Sequence, residues 1–434
     1  MTDIMLAGVL LLVMFAFLGS GVLIGAGLLG VGLIMIDLFT VRPVGPSMAT
    51  TIWSNTSGWG LAALPLFIWM GEVLLRTRLA GNVFQGLAPM VRRVPGGLLH
   101  ANIGGCTAFS AVSGSSAATL LTVGRITLPE LRKRNYPESL VCGTLAGAGT
   151  LGLMIPPSIT LIIYGLVVEE SIARLFMAGV IPGLMLAGLF FLYIFIWGLV
   201  SNEGRALREP GAPWSEWLRG FLQLVPIVGL IIVVIGSIYT GIASPNEAAV
   251  IGLSGAFILS ALQGTLTVQT FVESLNGAVR TTSMIFLLLA GAAVLTLAMG
   301  FSGLPRSLAD WVGGMDLSPT MLLLVLMLFF IVLGCFLDGM AMILLTIAVL
   351  EPLVRSAGID MIWFGIFVVL VGEMALITPP VGFNLFLVQS LSGRDIGFVA
   401  RSAAPMFGLM LIGAILLIAF PQIALWLPEL LTRR

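Results

Sequence analysis

The sequence is poor in charge and in the side chains that most enzymes use for catalysis. Its 434 residues include 20 Lys and Arg, 20 Asp and Glu, and one histidine, His100. Charged residues make up 9% of the chain, whereas a soluble domain carries about 25%. A soluble fold of this length would need a larger charged shell, so this composition excludes an ordinary soluble protein. The net charge of zero gives no reason to expect a nucleic-acid partner.

Cysteine is almost as scarce as histidine. Cys106, Cys142 and Cys335 stand singly in apolar or Gly-rich segments and form no CxxC pair. This spacing disfavours a metal site or a disulfide framework, and we expect three buried, small hydrophobic side chains. With one histidine and no paired acidic motif, a membrane-embedded enzyme has little support. We therefore predict no catalytic residues and no organic cofactor.

Long apolar runs occupy most of the chain. Hydrophobic residues make up 59% of it, and a spanning helix needs ~20 mostly apolar residues. The first run has no basic segment before it and leads at once into the second, so we expect a retained span, not a cleaved signal peptide. The sequence predicts an all-α, multi-pass membrane protein. Its ten candidate spans are 4–20, 22–39, 58–76, 138–165, 174–200, 222–242, 246–263, 281–300, 362–390 and 404–428.

Two further apolar stretches are each interrupted near the middle. Residues 97–131 break at the Ser-Gly-Ser-Ser sequence of 113–116, and residues 320–354 break at Gly334 and again at Asp338. Each stretch is too long for one span, so we predict two re-entrant helical hairpins. The backbone N–H and C=O groups of their non-helical tips must find hydrogen-bond partners in the protein or in a water-lined cavity. Two short, tightly turned full spans in each stretch are the alternative.

The polar segments divide the chain into repeated units. Residues 201–219, rich in Pro, Gly and charge, separate two halves. Segments 78–94 and 265–280 mix polar and apolar residues, which suits either helices lying in the membrane interface or plain loops. We predict scaffold helices with an interfacial arm (1–96), a first repeat core (97–200), a cytoplasmic linker (201–221), scaffold helices with a second arm (222–319), a second repeat core (320–390) and a C-terminal span (391–434).

Basic residues give an orientation for this arrangement. By the positive-inside rule, both ends of the first hairpin are cytoplasmic. Tracing the spans from there also places the 201–219 loop in the cytoplasm and opens the second hairpin to the other side, so the two hairpins are predicted to be inverted. The flanking basic residues are Arg92, Arg93, Arg132, Lys133 and Arg134.

A Pro-Pro pair recurs at the same distance from each hairpin. Ser115 precedes Pro156 by 41 residues, and Asp338 precedes Pro379 by 41. A Pro-Pro pair removes two backbone donors and clashes with the preceding turn, so each of these spans should consist of two half-helices joined by unwound backbone. Broken helices at corresponding positions of two halves indicate a transporter binding site. Unwound carbonyls and hydroxyls suit a sodium ion, whereas half-helix N-termini favour an anionic group.

These motifs carry a family resemblance. With GSSAAT (114–119), GTLGLMIPPSITLIIYG (149–165), LDGMAMILL (337–345) and ITPPVGFNLFLV (377–388) in this order, the chain resembles the DctM-type large permease of the tripartite ATP-independent periplasmic (TRAP) transporters. The resemblance runs from about residue 5 to about residue 428. It implies an elevator-type transporter in a bacterial or archaeal inner membrane, driven by an ion gradient, usually sodium. It also implies three partners: a small four-helix DctQ-type membrane subunit, here expected as a separate chain, a periplasmic DctP-type substrate-binding protein, and a small carboxylate cargo.

The same resemblance implies two sodium sites, each where a hairpin meets a broken helix. Most of the ligands would be backbone carbonyls, so side-chain identity matters chiefly at Ser110, Ser115 and Thr378. Ala375 stands where a glycine is more usual. The expected ligands are Ser110, Ser115, Gly152, Ile155 and Pro157 in the first half, and Gly334, Ala375, Thr378 and Val381 in the second.

Four polar residues are candidates for substrate binding or gating: Ser116, Arg125, Asp338 and Asn384. Asp338 in an apolar hairpin either serves the site or caps the following half-helix. Arg125 either binds a substrate carboxylate or extends its side chain so that the charged group reaches the membrane interface. The Asn384 amide either holds the broken backbone or touches substrate.

Two carboxylates and one rival function complete the predictions. For Glu72 and Glu373, which lie within apolar spans, we expect ion pairs rather than proton transfer. A stand-alone sodium/carboxylate symporter that needs no binding protein is the alternative to the TRAP permease.

Overall fold

A computed structural model describes residues 13, 16–17, 21–39, 44–207, 211–315 and 317–432, and all regular structure in these ranges is helical. The predicted span at 4–20 lies almost entirely outside the described residues. The described helices of the first half are Ile24–Phe39, Val44–Thr56, Ala63–Leu75, Leu79–Val91, Leu99–Ser113, Ser116–Lys133, Glu138–Thr150, Ile159–Val167, Ile172–Val200 and Asn202–Ala206. Those of the second half are Trp214–Tyr239, Pro245–Leu262, Val268–Ser302, Leu304–Gly313, Pro319–Gly334, Gly339–Ser356, Met361–Leu376, Phe383–Ser392, Ile396–Ala419 and Gln422–Thr432.

Six of these helices are long and apolar enough to cross a membrane. A seventh span results if Val44–Thr56 and Trp59–Leu75, which meet at a bend of 57°, are taken together. Several of the remaining apolar helices have only 10 to 17 residues. Most of the short ones belong to the interrupted segments, where the chain stops and restarts a helix within one apolar stretch.

Both Pro-Pro segments are broken helices, as predicted. The first broken helix consists of Glu138–Thr150 and Ile159–Val167, and the second of Met361–Leu376 and Phe383–Ser392. We call residues 151–158 the first break and residues 377–382 the second break. The Pro-Pro peptide bond is cis in both. Ser158 restarts the first helix because its hydroxyl accepts a hydrogen bond from the Leu161 amide at 3.3 Å.

Both predicted hairpins are helix–break–helix elements with their tips at the expected residues. The first hairpin joins Leu99–Ser113 to Ser116–Lys133, and the second joins Pro319–Gly334 to Gly339–Ser356. Gly114 at the first tip has a φ of 59°, a left-handed conformation that favours glycine. The re-entrant path of the hairpins through a bilayer stays a prediction.

The two arm segments are helical, and they differ from each other. The first arm is the separate helix Leu79–Val91, whereas the second continues without a break into the following span as the 35-residue helix Val268–Ser302. Both segments are thus mainly helical and not plain loops, and their position in the membrane interface stays a prediction. The polar residues of 265–280 include no proline, and polar side chains alone do not end a helix.

Helices of the two halves pack against each other in pairs. Ile24–Phe39 contacts Val268–Ser302, Ala63–Leu75 contacts Pro245–Leu262, and Leu79–Val91 contacts Trp214–Tyr239. In the first repeat core, Glu138–Thr150 contacts Ile396–Ala419 of the C-terminal span. The scaffold helices thus associate mainly with each other, and they meet the repeat cores where Leu79–Val91 contacts the first hairpin and Val268–Ser302 contacts the second.

Ion pairs and buried side chains agree in part with the sequence predictions. Glu72 pairs with Arg76 at 2.6 Å, which confirms the predicted ion pair. The three cysteines are free and buried, also as predicted. Glu373, in contrast, is fully buried, and neither carboxylate oxygen has a hydrogen-bond partner among the described residues. The predicted ion pair of Glu373 was wrong, because no basic side chain of the described chain reaches it.

Every residue of Met361–Leu376 is buried, and we call it the central helix. The Tyr164 hydroxyl in the first broken helix donates a 2.6 Å hydrogen bond to the Met361 carbonyl at the start of the central helix. This bond joins the two repeat cores across 197 residues of sequence.

Tyr164→Phe should therefore destabilise the protein by about 1 kcal/mol, the net contribution of a typical buried hydrogen bond. Tyr193→Phe is the matched control, since the Tyr193 hydroxyl makes no hydrogen bond within the described part of the chain. The free energy of unfolding of both variants is measured by reversible unfolding in mild detergent. Equal stability of the two would show that the 164–361 bond contributes nothing.

Candidate functional site

The tip of the first hairpin lies directly against the first break. A β-carbon at Gly152 would be 2.7 Å from the carbonyl carbon and oxygen of Ser115, and one at Gly114 would be 2.9 Å from the Pro157 carbonyl oxygen. Only glycine permits backbones to approach this closely. The structure therefore brings together three predicted ligands, Ser115, Gly152 and Pro157, from segments about 40 residues apart.

Ser110 adds an unsatisfied oxygen in the same hairpin. Its side chain is fully buried, and its hydroxyl has no hydrogen-bond partner in the described residues. A buried hydroxyl without a partner is costly and points to an absent ligand or water. The Ser115 hydroxyl, in contrast, caps Ser116–Lys133 by accepting from the Ala118 amide at 3.4 Å. Ile155 lies within the buried first break.

The second hairpin meets the second break in the corresponding way. A β-carbon at Gly334 would overlap the Ala375 side chain, so these two predicted ligands are in contact. The Cys335 thiol donates to the Pro379 carbonyl at 3.3 Å, which ties the tip to the break. The Thr378 hydroxyl donates to the Met374 carbonyl at 2.7 Å and can still accept or coordinate through its lone pairs.

The two breaks differ in exposure. Residues 151–164 are buried throughout, whereas Val381 in the second break is 39% exposed and Phe383 just after it is 48% exposed. The tips also meet across the halves, because a β-carbon at Gly339 would lie 3.3 Å from the Leu153 side chain. The first break is thus enclosed between both hairpins, and the second is open on one side.

An arginine in the last turn of each hairpin caps the broken helix of the other half. Arg132 donates to the carbonyl of Ser392, the last residue of the second broken helix. Arg355 donates at 3.3 Å to the carbonyl of Val168, the C-cap of the first broken helix. Arginine near a helix C-terminus satisfies the last carbonyls and complements the helix dipole. This reciprocal pair follows the sequence repeat, and the sequence alone did not reveal it.

One acidic residue, Glu138, joins the arginines at this end of the repeat cores. Glu138, the first residue of the first broken helix, pairs with both Arg132 and Arg394. Arg394 also lies 5.4 Å from the ring centre of Phe398. The Arg132 end of the molecule therefore holds the two repeat cores together through charge.

The four substrate or gating candidates have different surroundings. The Asp338 carboxylate accepts from the Ala341 amide at 2.7 Å, so it caps the second leg of its hairpin. Asn384 is fully buried, and neither its amide oxygen nor its nitrogen has a partner in the part of the chain described, so it does not hold the broken backbone here. Ser116 is buried at the first tip, whereas Arg125 is exposed. Roles for these four in binding stay predictions.

A pair of hairpins packed on a pair of broken apolar helices is the architecture of a membrane transport protein. The family model described as "Tripartite ATP-independent periplasmic transporter, DctM component" matches residues 11–423, and the chain belongs to this family. It is thus the large permease subunit of a TRAP transporter, a multi-pass protein of a bacterial membrane.

Two relatives and one solved structure illustrate the similarity. The C4-dicarboxylate TRAP transporter large permease protein DctM of Pseudomonas aeruginosa is 31% identical over 399 residues, 92% of each chain. The ectoine/5-hydroxyectoine TRAP transporter large permease protein UehC of Ruegeria pomeroyi is 34% identical over 373 residues, 85% of this chain and 86% of that one. The fold resembles the YdaH transporter of Alcanivorax borkumensis, with a TM-score of 0.64 at 15% identity, covering 93% of this chain and 98% of that one.

Gly152→Ala should destabilise the protein by about 1–3 kcal/mol, because the added methyl group meets backbone that cannot rotate away. Gly188→Ala is the control, since no atom lies within 4 Å of its added methyl group and alanine favours a helix. Thermal unfolding of the two purified variants gives the comparison. A Gly152 variant as stable as wild type would mean that tip and break are not in close contact.

Arg132→Gln should lower the free energy of unfolding by about 1 kcal/mol. This is at the low end for a charged hydrogen bond, because the Arg132 side chain is 40% exposed. The loss should shrink in high salt. Lys133→Gln removes the same charge from the neighbouring exposed position and should change stability by less than about 0.5 kcal/mol. Denaturant titrations at low and high salt test this, and similar effects of the two variants would contradict the capping role.

Proposed function

We propose that this permease carries a small organic anion, a carboxylate or dicarboxylate, across the inner membrane, driven by a sodium gradient. The observation that carries the proposal is the contact of the first hairpin tip with the first break, together with the unpartnered, buried Ser110 hydroxyl. Sodium prefers hard oxygen ligands, which unwound carbonyls and hydroxyls supply. The sites proposed above would hold it.

Sodium is favoured over protons by the residues at the breaks. Asp338 already caps a helix, which leaves the buried Glu373 as the described carboxyl next to a break that could carry a proton. Carbonyl-rich breaks with few titratable groups suit a metal cation better than a proton.

The cargo carboxylate would bind near the second break. The helix Phe383–Ser392 begins after Gly382 without a side-chain cap, and free amides at a helix N-terminus favour an anion. The unpartnered Asn384 amide could add a hydrogen bond there. Among the relatives, one is named for C4-dicarboxylates and another for ectoine. We therefore propose a carboxylate-bearing cargo without naming the compound.

The repeat cores would move as a unit against the scaffold in an elevator motion. The scaffold helices pack with each other in pairs, and the reciprocal arginine caps join the two cores. Two further proposals come from the tripartite family: a periplasmic DctP-type protein delivers the cargo, and a separate DctQ-type four-helix subunit accompanies this chain. The cytoplasmic position of the Arg132 end follows from the positive-inside rule.

The test is uptake by proteoliposomes that contain the permease, its small subunit and the binding protein. Uptake should require both an inward sodium gradient and the binding protein. Ser110→Ala should raise the sodium concentration for half-maximal uptake by roughly ten-fold or more, since removing even an indirect metal partner has effects of that size.

Thr107→Ala is the matched control, because the Thr107 hydroxyl lies one turn earlier and donates to its own helix at the Ile103 carbonyl. It should leave the sodium dependence unchanged. Uptake that is equally fast without sodium would overturn the coupling. Uptake without the binding protein would favour the stand-alone symporter.

A further inference from the structure

Glu373 is an acidic residue without a partner in the interior of the repeat cores. It lies in the central helix, one turn before the second break, and its side chain is fully buried. Neither carboxylate oxygen has a hydrogen-bond partner in the described part of the chain. Burying a carboxylate is costly unless a positive charge is paired with it. The side chain therefore needs a partner that the described residues do not supply.

The arginines of the neighbouring helices do not fill this role. Arg174, Arg355 and Arg401 belong to helices that contact the central helix. All three lie near an end of their helix, and Arg355 pairs with Glu351 at 2.9 Å. Glu373, in contrast, lies beside the breaks, near the middle of its broken helix. The charge of this carboxylate must therefore be balanced by something other than an arginine of the described chain.

The first break lies against Glu373. The central helix contacts the turn Leu151–Leu153. The Met154 amide, which donates to the Leu151 carbonyl at 3.2 Å, lies close to the Glu373 carboxylate. Met154 stands between Gly152 and Ile155, two of the ligands expected for the first sodium ion. A carboxylate of the second half thus lies beside the carbonyls of the first half that are proposed to bind sodium.

Two unpartnered oxygen groups converge on the first break from different halves of the chain. The Ser110 hydroxyl lies one turn before Gly114, whose backbone lies against the Pro157 carbonyl. The Glu373 carboxylate approaches from the central helix. Carbonyls and a hydroxyl are neutral, so by themselves they would leave the full charge of a sodium ion in a low-dielectric interior. A carboxylate next to the ion would balance that charge, and the ion would balance the carboxylate.

We propose that Glu373 supplies the negative charge of the sodium site at the first break. One ion would then bind carbonyls of the first half and be paired with a carboxylate of the second. The inference rests on the proposed function, because it adds a residue to the proposed first sodium site. It gives that site a charged side chain, and it makes the bound ion a further link between the two repeat cores.

The experiment measures sodium binding to the purified permease with its small subunit, without cargo or binding protein. Thermal stabilisation is titrated with sodium chloride, and choline chloride keeps the ionic strength constant. Glu373→Gln, which has nearly the same shape but no charge, should raise the half-maximal sodium concentration by roughly ten-fold or more. Glu373→Asp keeps the charge on a shorter side chain and should bind sodium more tightly than Glu373→Gln.

Glu169→Gln is the matched control. Glu169 follows the first broken helix, and its side chain is exposed. The substitution removes the same charge from a position in water, so it should leave the sodium titration unchanged.

Stability without sodium separates a charge partner from a merely structural residue. Glu373→Gln removes a buried carboxylate that has no partner, so its unfolding temperature without sodium should equal or exceed that of wild type. A structural role would instead lower that temperature and leave the half-maximal sodium concentration unchanged. That result would overturn the inference.

A double-variant cycle locates the ion. If Glu373 and Ser110 serve the same ion, Ser110→Ala should weaken sodium binding much less in the Glu373→Gln background than in wild type. Thr378→Val, at the second break, should have the same effect in both backgrounds. The reverse pattern would place the charge at the second break and overturn the assignment.

Failure of this inference can be told apart from failure of the proposed function. If sodium stabilises wild type and Glu373→Gln alike, Glu373 is not the charge partner, and the sodium site stands without it. If sodium stabilises neither protein and uptake needs no sodium gradient, the proposed coupling fails, and the role of Glu373 fails with it.

Discussion

Close backbone contact between a hairpin tip and a broken helix is the constraint on which the rest of the structure depends. At Gly152 and Gly114 any side chain would meet backbone at less than 3.0 Å. Two interrupted segments can meet this closely only where a glycine of one segment faces the backbone of the other. The contact in turn gives the interrupted backbone a protein environment, which non-helical backbone at membrane depth requires. Hairpin and break are therefore one structural unit, and neither would be stable against lipid alone.

Breaking a helix leaves short half-helices with exposed ends, and the molecule stabilises those ends from the opposite half. The nine-residue helix Ile159–Val167 is too short to be stable by itself. Arg355 caps its end, Tyr164 ties it to the central helix, and Arg132 caps the second broken helix. Because each core supplies the cap of the other, the two cores are held as one body. A rigid body of this kind is what a moving transport domain would need.

The sequence predicts the interruptions well because their causes are local. Each Pro-Pro pair removes two neighbouring backbone donors, and the Ser-Gly-Ser-Ser sequence of the first tip places a left-handed glycine between two helices, so both interruptions are encoded where they occur. The residues that cap the broken helices are distant in sequence. Arg132 and Ser392 are 260 residues apart, and neither segment contains a pattern that predicts their contact. Glu373 shows the same limit, since an isolated carboxyl in an apolar run suggests an ion pair whose existence only tertiary packing decides. The contact of Gly334 with Ala375 followed from family resemblance, not from spacing.

The two halves of the chain resemble each other most in the backbone of the breaks, and they differ in what surrounds the breaks. The first break is buried and the second is partly exposed. Likewise, the first broken helix ends on a left-handed Glu169, and the second on a left-handed Gly393. The two breaks share a backbone arrangement but differ in exposure. For the first break to become exposed and the second buried, the repeat cores would have to pack differently against the scaffold. Ligands that bind at the breaks would bias such an equilibrium to the extent that they bind its two states differently. The asymmetry between the breaks is thus the feature of this structure through which ion binding could be coupled to movement.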